Sequence, residues 1–542
     1  MNKKFRILLT AIYKEKNPAR YEEIGIASIA AVLRENGYEV ILMGGTEPEI
    51  DYDKIIDFQP DIIGGPLYSA SKKGFYKFCL KIKEYLPGTY TCTGGFFPTF
   101  NYREILAEAD FIDFIIRGEG EFSFLDLVSY LEKKKDLKDV KGLIYREGTE
   151  VIVNEERELI ADLDILPLPA RDFSIRSKAE IVPLSTTRGC LGNCTFCLNR
   201  SFWKKWRGRS VKKVLEEIKY LYKLGFKNYY IMDVSFEDSD ENNYERIKKI
   251  ARGIIDENLD ITYRIDVRAE FYKKVDPQIL KLLRKSGLRI IMVGIETNNE
   301  EDLELYGKIA SLEDNRNCID FYRNYSFWVD IGFINFNPYS NFEGLRQNAV
   351  FLEKYYFSFD FVKFTLRYRL TRGSRLYEKL KNDGLLGDGK YDDVTNYRFV
   401  DERIGILYDF ITSYAKKVED SLKTIHSREF FLTKLFVLKE KIKNDLEVYR
   451  MVCSYEKEIR QILDELNKKN ADIFRELLNL SETSWDERKA LKITLDEDGQ
   501  NIHIKKAGDL GKKSIELLRK IYSMRPGYSN MLKIFFYDNY RY

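Results

Sequence analysis

The run CLGNCTFC at residues 190–197 follows the apolar stretch IVPLSTTRG at 181–189, which is predicted as a β-strand. Thiolates are the ligands that iron–sulfur clusters use, and close spacing lets one loop wrap a cluster. Three cysteines serve only three of the four irons of a [4Fe–4S] cluster, so one iron is left open for a chelating ligand. The run therefore predicts Cys190, Cys194 and Cys197 as metal ligands and as catalytic residues.

A structural zinc site is the alternative for this run. Such a site usually has four ligands in two pairs. Cys318 and Cys453 are distant in sequence, and the chain has only two histidines, His426 and His503. The same scarcity of histidine disfavours a Ser–His–Asp hydrolase. A cluster is therefore favoured over zinc.

Residues 179–400 around and after the run are predicted to form a partial (β/α)6 barrel. Apolar strands are predicted at 228–234, 261–269, 289–297, 327–336 and 359–370, separated by amphipathic helices. In such barrels the chemistry lies at the carboxyl ends of the strands. The cysteine run follows the first predicted strand, which is where this rule places an active site.

Residues 1–140 also alternate strands and helices, beginning with a predicted strand at 5–12 and a helix at 24–37. This alternation predicts an α/β fold with a doubly wound parallel sheet. The loops after its strands are rich in glycine, as in Thr93-Gly94-Gly95 and in the GEGE run at 118–121. Ligands of such sheets bind at the carboxyl ends of the strands.

The rest of the chain is predicted as a connection and a third domain. Residues 141–178 are interpreted as a linker that holds a small β element and the proline-rich run ILPLPARDF. Residues 401–542 are predicted as a mostly helical region that shapes substrate binding. Asp498-Gly499 within 491–506 predicts a β-hairpin there.

Composition narrows the function classes. The 89 Lys and Arg residues nearly balance the 86 Asp and Glu residues, and the net charge of +3 argues against a nucleic-acid-binding surface. The basic and aromatic run WKKWRGR at 203–209 is interpreted as a solvated loop more readily than as a nucleic-acid or substrate contact. No apolar run of about 18 residues predicts a membrane span. The odd cysteine count does not suit a disulfide framework, so a cytoplasmic location is expected.

The cysteine run resembles the signature of the radical S-adenosylmethionine (SAM) superfamily. The resemblance implies that the open iron binds SAM and that one electron breaks its sulfonium bond. A 5′-deoxyadenosyl radical then takes hydrogen from the substrate. It also implies an electron donor such as flavodoxin or ferredoxin, and a small-molecule or peptide substrate.

Further SAM contacts follow from the same resemblance. Phe196 matches the aromatic residue that the family places against the adenine. Six residues at predicted strand ends complete the implied SAM site: Asp233 at the methionine end, Arg268 at the carboxylate, Glu296 and Thr297 in a GxES-type segment, and Asn335 and Asn337 near the adenine and ribose. The alternatives are that Asp233 caps a helix and that Arg268 pairs at the surface.

The domain order over residues 1–390 resembles the radical SAM enzymes that carry a cobalamin-binding domain. The GEGE run, the LPLP linker and the segment RGSRLY at 372–377 support this, although Thr371-Arg372 replaces the family's usual proline. The resemblance implies cobalamin as a further cofactor, and its candidate contacts are Ser69, Thr93, Gly94, Gly95, Gly118 and Glu119. No histidine precedes His426, so cobalt would face water or a non-ligating side chain below.

The resemblance favours a cobalamin-dependent methyltransferase that acts on an unactivated carbon of a natural product or a peptide. Oxidation, cyclisation, rearrangement or cross-linking without methyl transfer is the alternative. A methylthiotransferase of tRNA is disfavoured, since that family has three more cysteines in its first domain and here only Cys79 and Cys92 precede the barrel. A cobalamin or redox sensor is disfavoured by the open iron.

Overall fold

The computed structural model describes residues 5–14, 22–237 and 244–524. The chain divides into two compact units. The first comprises residues 1–291, 370–378 and 388–396, and the second comprises 292–369, 379–387 and 397–542. This division passes through the predicted barrel, and the predicted domain bounds at 140, 178 and 400 stay predictions.

The first unit begins with a seven-stranded sheet in the order β2-β1-β3-β4-β5-β6-β7. Its strands are β1 Arg6–Tyr13, β2 Glu39–Thr46, β3 Ile62–Pro66, β4 Tyr90–Gly94, β5 Phe114–Ile116, β6 Leu143–Glu147 and β7 Glu150–Val153. The first five are parallel, with Ile7 opposite both Val40 and Ile62. All six residues from Ile7 to Ile12 of β1 are buried, as expected of a central strand that is covered on both faces.

Helices cover both faces of this sheet. They are α1 Ile24–Glu35, α2 Tyr52–Phe58, α3 Lys72–Tyr85, α4 Phe96–Glu108, α5 Glu121–Leu131 and, later in the chain, α6 Asp172–Ser177. Leu33 of α1 and Leu127 of α5 belong to one hydrophobic cluster, whereas Phe78 of α3 and Ile105 of α4 belong to another. The predicted doubly wound α/β fold is therefore confirmed.

The small β element of the predicted linker is part of this sheet. Strands β6 and β7 form an antiparallel hairpin, and β6 pairs antiparallel with β5. The hairpin turns at Gly148, whose φ of 62° lies in the left-handed region that glycine adopts without strain. Antiparallel strands need only such a short turn, so the element extends the sheet edge instead of standing apart.

A second sheet has five strands in the order β14-β13-β12-β11-β8 within the described residues. The strands of this part of the chain are β8 Val182–Leu184, β9 Thr187–Arg188, β10 Arg207–Gly208, β11 Asn228–Ile231, β12 Thr262–Arg268, β13 Leu288–Glu296 and β14 Trp328–Phe333. Strand β11 is parallel to both β8 and β12, and β9 pairs antiparallel with β10 in a separate ribbon. The boundary between the units falls inside β13.

Helices alternate with these strands as a (β/α) barrel requires. They are α7 Asn199–Trp203, α8 Val211–Lys223, α9 Glu245–Asp256, α10 Pro277–Ser286, α11 Glu300–Leu305, α12 Leu312–Asn324, α13 Phe342–Lys354 and α14 Arg375–Asn382. The Ser210 hydroxyl accepts from the Lys213 N–H and begins α8. Gly287, with a φ of 114°, ends α10.

The predicted sixth strand at 359–370 is reduced to a single parallel bridge between Phe336 and Arg367. Residues Phe361–Thr365 form a 3-10 helix instead. Phe361 and Phe364 are both fully buried, and residues three apart point the same way in a 3-10 helix but not in a strand. The partial barrel is therefore confirmed, with five strands and a bridge in the sixth place.

The end of the second unit is helical, as predicted. Its helices are α15 Glu402–Lys417, α16 Glu419–Ile442, α17 Leu446–Thr483, α18 Glu487–Ile493 and α19 Ile502–Met524. Among the helices of the described residues, none is both long and apolar enough to span a membrane. The hairpin predicted at 491–506 is reduced to one antiparallel bridge between Leu495 and Asn501. Gly499 does form a turn, but Asp486 and Asn501 accept backbone hydrogen bonds that begin helices on either side of it.

Candidate cluster and cofactor site

The cysteine loop contains three thiols, and its backbone approaches their sulfur atoms closely at Gly192. Cys190, Cys194 and Cys197 are half-buried, and none of the seven cysteines forms a disulfide. The Sγ atoms of Cys190 and Cys194 lie 3.4 and 3.8 Å from where a Cβ would stand at Gly192. The N–H of Gly192 donates to Cys190 Sγ at 3.2 Å, and that of Asn199 donates to Cys197 Sγ at 3.4 Å. Amide donors of this kind stabilise thiolates and tune iron–sulfur clusters.

The donor set fits a cluster better than a single ion. Within the described ranges, no three His, Cys, Asp or Glu side chains are grouped as ligands of one metal ion. In a [4Fe–4S] cluster each cysteine binds a different iron, so the three sulfurs stand apart around the cluster. Three thiolates with amide donors therefore fit the predicted cluster and its open iron.

The segment 371–376 donates hydrogen bonds to three carbonyl groups of the cysteine loop. The Thr371 hydroxyl donates to the Phe196 carbonyl at 2.8 Å, and the Leu376 N–H donates to the Thr195 carbonyl at 2.9 Å. The Arg375 guanidinium also donates to the Asn193 carbonyl. Thr371 of the Thr371-Arg372 pair thus supplies a side-chain hydrogen bond to the cysteine loop. It fixes the backbone of Phe196, the residue predicted to lie against adenine.

Asp233, two residues after β11, is fully buried and holds the turn that follows β8. Its carboxylate accepts the N–H groups of Thr186 at 2.7 Å and Thr187 at 2.9 Å, and also the Thr186 hydroxyl. Burial raises the pKa of Asp233, and these hydrogen bonds oppose that rise. Both oxygens are occupied by the chain, so Asp233 shapes the approach to the cysteine loop, and its contact with SAM stays a prediction.

Arg268, at the end of β12, lies beside the cysteine loop. Its Cδ is 3.5 Å from the Cβ position of Gly192, and its guanidinium pairs with Glu237 at 2.7 Å and with Glu270 at 2.8 Å. Burial alone would lower the pKa of Arg268, but these two carboxylates raise it. The alternative of a pair at the surface does not fit, because the Glu237 side chain is 2% exposed and that of Arg268 is 18% exposed. The contact of Arg268 with SAM stays a prediction.

Glu237 is a site residue that the sequence analysis missed. Its side chain is 2% exposed, and Oε2 has no hydrogen-bond partner among the described residues. An unsatisfied buried acceptor is costly, and an ammonium group such as that of SAM would satisfy it. The sequence signal was an acidic residue shortly after a barrel strand, the same signal that selected Asp233.

In the second unit, Glu296 ends β13 in a strained conformation. Its φ of 72° is left-handed, which is rare for a residue other than glycine and concentrates at functional sites. Its carboxylate oxygens lie 3.4 and 3.5 Å from where a Cβ would stand at Gly332 of β14. Burial raises the pKa of Glu296, while the Lys308 ammonium opposes that rise. Glu296 is thus a half-buried residue whose carboxyl group lies beside Gly332.

The other three candidates of this unit lie in buried polar surroundings. Asn337 donates to Asp302 at 2.6 Å and to the Tyr306 hydroxyl at 2.9 Å, and Thr297 also approaches Asp302, at 3.3 Å. Asn335 donates to the Phe364 carbonyl at 3.1 Å, while its Oδ1 is buried without a partner in the described part of the chain. Of these three, Asn335 retains a free acceptor.

The strand-end loops of the first sheet are open cradles. Gly95 and Gly118 have left-handed φ values of 98° and 75°, and no atom lies within 4 Å of either Cβ position. A Cβ at Gly94 would stand 3.0 Å from the Ile116 carbonyl. Thr93 is buried and donates to the Gly65 carbonyl, and Ser69 begins a short turn after β3. Half-buried glycine backbone with open space at the Cβ positions of Gly95 and Gly118 fits the approach of a large ligand such as cobalamin.

Glu119 differs from the other cobalamin candidates. Its carboxylate pairs with Arg188 at 2.6 Å and Arg207 at 2.9 Å, and it accepts the Ile160 N–H at 2.8 Å. The prediction of Glu119 as a cobalamin contact does not match this geometry, because both oxygens are engaged within the chain. Arg207 belongs to the run 203–209, so that run is packed at this point and is not a solvated loop.

The SAM site gives a testable prediction. Changing Arg268 or Glu296 to Ala is expected to weaken SAM binding but to leave the iron content intact, because neither residue is a cluster ligand. Loss of a charge-assisted hydrogen bond costs roughly 1.5–3 kcal/mol, or about 10- to 150-fold in affinity. Anaerobic calorimetry with SAM and iron analysis on each variant measure both quantities.

Arg264→Ala is the matched control for this experiment. Arg264 stands on the same strand, four residues before Arg268, and pairs with Asp266 at 3.4 Å. It should bind SAM like the unchanged protein. If both the Arg268 and the Glu296 variants bound SAM as tightly as the unchanged protein, SAM would have to bind at other strand ends.

In comparisons with known proteins, two family models match separate parts of the chain. The profile of the B12 binding domain matches residues 12–128, and that of the radical SAM superfamily matches 184–347. An uncharacterized methyltransferase of Pyrococcus horikoshii is 29% identical over 374 residues, which is 67% of this chain and 79% of that protein. An anaerobic magnesium-protoporphyrin IX monomethyl ester cyclase of Synechocystis is 29% identical over 56% of this chain and 62% of its own length.

A solved structure shares the fold over almost the whole chain. The cobalamin-dependent S-adenosylmethionine radical enzyme OxsB with aqua-cobalamin bound has a TM-score of 0.70 at 20% identity. The match covers 99% of this chain and 84% of that one. At this identity the likeness establishes the fold alone.

Proposed function

Because the chain belongs to the radical SAM enzymes that carry a B12-binding domain, we propose that it methylates an unactivated carbon of a small-molecule natural product or a peptide. The observation that carries the proposal is the pairing of two features in one unit. A loop with three cysteine ligands follows a barrel strand, and a parallel sheet has open glycine cradles at its carboxyl edge. One feature suits radical initiation and the other suits a methyl carrier.

When bound, the cluster, SAM and cobalamin supply the electron transfer, the radical and the methyl carrier. The chain supplies their positions. Cys190, Cys194 and Cys197 would hold three irons, and backbone N–H groups donate to two of the three sulfurs. The side chains of Arg268 and Glu237 place a guanidinium and a carboxylate oxygen without a partner, Glu237 Oε2, beside the loop, which suits the carboxylate and the ammonium of an amino acid.

The second candidate is a radical reaction without methyl transfer, such as cyclisation. The relative from Synechocystis is named a cyclase, whereas the one from Pyrococcus is named a methyltransferase. The two reactions differ in the fate of SAM. Methylation consumes two molecules and yields S-adenosylhomocysteine as well as 5′-deoxyadenosine. The other reactions yield no S-adenosylhomocysteine.

The test uses this difference and needs no known substrate. Full-length protein with its cluster, loaded with hydroxocobalamin, is incubated anaerobically with SAM and a reductant such as titanium(III) citrate. Chromatography should show S-adenosylhomocysteine, and protein prepared without cobalamin should form none. Formation of 5′-deoxyadenosine alone in the loaded protein would overturn methyl transfer and favour the second candidate.

The proposal includes a partner. A one-electron donor of the flavodoxin or ferredoxin type would reduce the cluster in the cytoplasm. A short peptide gene beside the gene for this chain would favour a peptide substrate over a small molecule.

A further inference from the structure

Four buried charges join the first sheet to the cysteine loop, and we name them the Glu119 cluster: Glu119, Glu121, Arg188 and Arg207. The Arg188 guanidinium pairs with Glu119 at 2.6 Å and with Glu121 at 2.5 Å, and Arg207 pairs with Glu119 at 2.9 Å. The four side chains are between 2% and 14% exposed. Two carboxylates and two guanidiniums balance, so no net charge is left buried.

The two glutamates of the cluster flank Gly120 in the loop between β5 and α5. A Cβ at Gly120 would stand 2.8 Å from Ile29 Cδ1, so the loop is pressed against α1. Glu121 also accepts from the Ser28 hydroxyl of α1 at 2.8 Å. Burial alone would raise the pKa of Glu121, but the Arg188 guanidinium holds it below its usual range. The acidic side of the cluster is therefore fixed to the first sheet.

Arg188 is the link to the iron site, because it stands two residues before Cys190. Separating a buried ion pair leaves both charges uncompensated in the protein interior, which is costly. The two segments that carry the pair are therefore held together. Arg188 bonds two carboxylates at once, and only a forked guanidinium does this with fixed geometry. Residues 118–121 are thus connected by ion pairs to strand β9, which contains Arg188 and ends two residues before Cys190.

Aromatic side chains make a second connection, between helix α4 of the first sheet and helix α7, which follows the cysteine loop. Phe96, the first residue of α4 after Gly95, stacks on Phe202 of α7 with ring centroids 4.1 Å apart. The next residue, Trp203, lies 5.6 Å from the Arg188 guanidinium and 5.8 Å from that of Arg207. Helix α7 begins two residues after Cys197. Both glycine loops of the first sheet are therefore tied to the ends of the cysteine loop.

We propose that Glu119 and Arg188 are positioning residues that transmit ligand binding at the glycine loops to the cluster. Cobalamin held against Gly95 and Gly118 would touch the loop that carries Glu119, and the ion pair between Glu119 and Arg188 would carry a displacement of that loop to the strand before Cys190. The distances from the N–H groups of Gly192 and Asn199 to sulfur would then change, and hydrogen bonds to sulfur help set the reduction potential of a cluster. The inference rests on the proposed function, since it needs both cofactors.

The test is a redox titration of the cluster, followed by its electron paramagnetic resonance signal, with and without hydroxocobalamin. In the unchanged protein, cobalamin should alter the equilibrium constant of one-electron reduction by roughly threefold or more. Arg188→Lys keeps the charge but cannot bridge two carboxylates, and Glu119→Gln removes one of them. Both variants should keep iron and cobalamin but lose the cobalamin-induced change.

Glu47→Gln is the matched control. Glu47 is also a buried carboxylate of the first unit, 5% exposed, and pairs with Lys77 at 2.7 Å and Lys81 at 2.8 Å. This variant should retain the full cobalamin-induced change. If Glu119→Gln fails to fold by circular dichroism, Arg188→Lys and the milder Glu121→Gln decide the matter.

Two results overturn the inference. One is an unaltered cobalamin-induced change in the Arg188→Lys variant, and the other is no change in unmodified protein that binds both cofactors. Absence of iron or cobalamin from the unmodified protein would instead contradict the proposed function, so the two failures are distinguishable.

Discussion

Replacing Cys190, Cys194 and Cys197 together by Ala is expected to remove the iron–sulfur cluster and all cleavage of SAM. The reason is that each thiolate is predicted to bind a different iron, and no other cysteine stands close in sequence to replace one. Anaerobically purified unmodified protein should contain about four iron and four sulfide per chain. The triple variant should contain neither and should form no 5′-deoxyadenosine from SAM and a reductant.

Cys318→Ala and Cys453→Ala, combined in one protein, form the control. These cysteines lie in the second unit, and burial raises the pKa of Cys318 far above the range of a thiolate ligand. The control should keep full iron content and SAM cleavage. If the triple variant still produced 5′-deoxyadenosine, the assignment of the cluster to this loop would be wrong.

The parts of the fold that could be predicted from the sequence are those set by local patterns. The buried run at β1 and the helix after it have the period of a parallel α/β sheet, and both appear where they were expected. The strand predicted at 359–370 is wrong in part: the apolar residues at 364, 366, 368 and 370 alternate like those of a strand, while burial of Phe361 and Phe364 selects a 3-10 helix. That choice depends on helix α17, whose Phe474 stacks on Phe364.

Side-chain partners were harder to predict than elements. Glu119 is predicted as a ligand contact because it follows a strand next to glycines, and the same signal predicts Gly118, whose contact with cobalamin stays a prediction. Its actual partner Arg188 is 69 residues away, so no local pattern connects the two. The same holds for the pair of Arg268 and Glu237, which are 31 residues apart. Charge pairs between distant segments follow from tertiary packing, which a single sequence does not display.

The prediction that cobalamin binds without a histidine ligand rests on the positions of the two histidines in the sequence and on their contacts in the structure. No histidine precedes residue 426, and the two that follow are engaged within the second unit. His426 Nδ1 lies 3.0 Å from Asp360, and fully buried His503 lies 2.6 Å from the Tyr414 hydroxyl and 3.0 Å from Asn470. Burial lowers the pKa of His503 to about 4, so it stays neutral and held by its neighbours at physiological pH.

Protein produced with cobalamin supplied should therefore co-purify with about one corrin per chain and without a histidine ligand on cobalt. Its absorption and paramagnetic spectra should lack the signature of a nitrogen from histidine, because water or a non-ligating side chain faces the lower side. A histidine-type spectrum, or protein that retains no corrin after desalting, would contradict this expectation.

Glycine variants locate the corrin in the fold. Gly118→Ala places a methyl group in the open space at the carboxyl edge of the sheet, where the corrin is expected. Gly148→Ala is the matched control, because Gly148 also has a left-handed φ, 62° against 75°, and open space around its Cβ position, but it turns the hairpin of β6 and β7. Overpacking costs about 1–3 kcal/mol, so Gly118→Ala should weaken cobalamin binding roughly 5- to 150-fold. The shared backbone strain affects both variants alike, so a loss of corrin in the Gly118 variant alone assigns the ligand to the strand-end loops. Equal loss in both would mean that strain, not contact, governs binding, and the corrin would have to lie elsewhere.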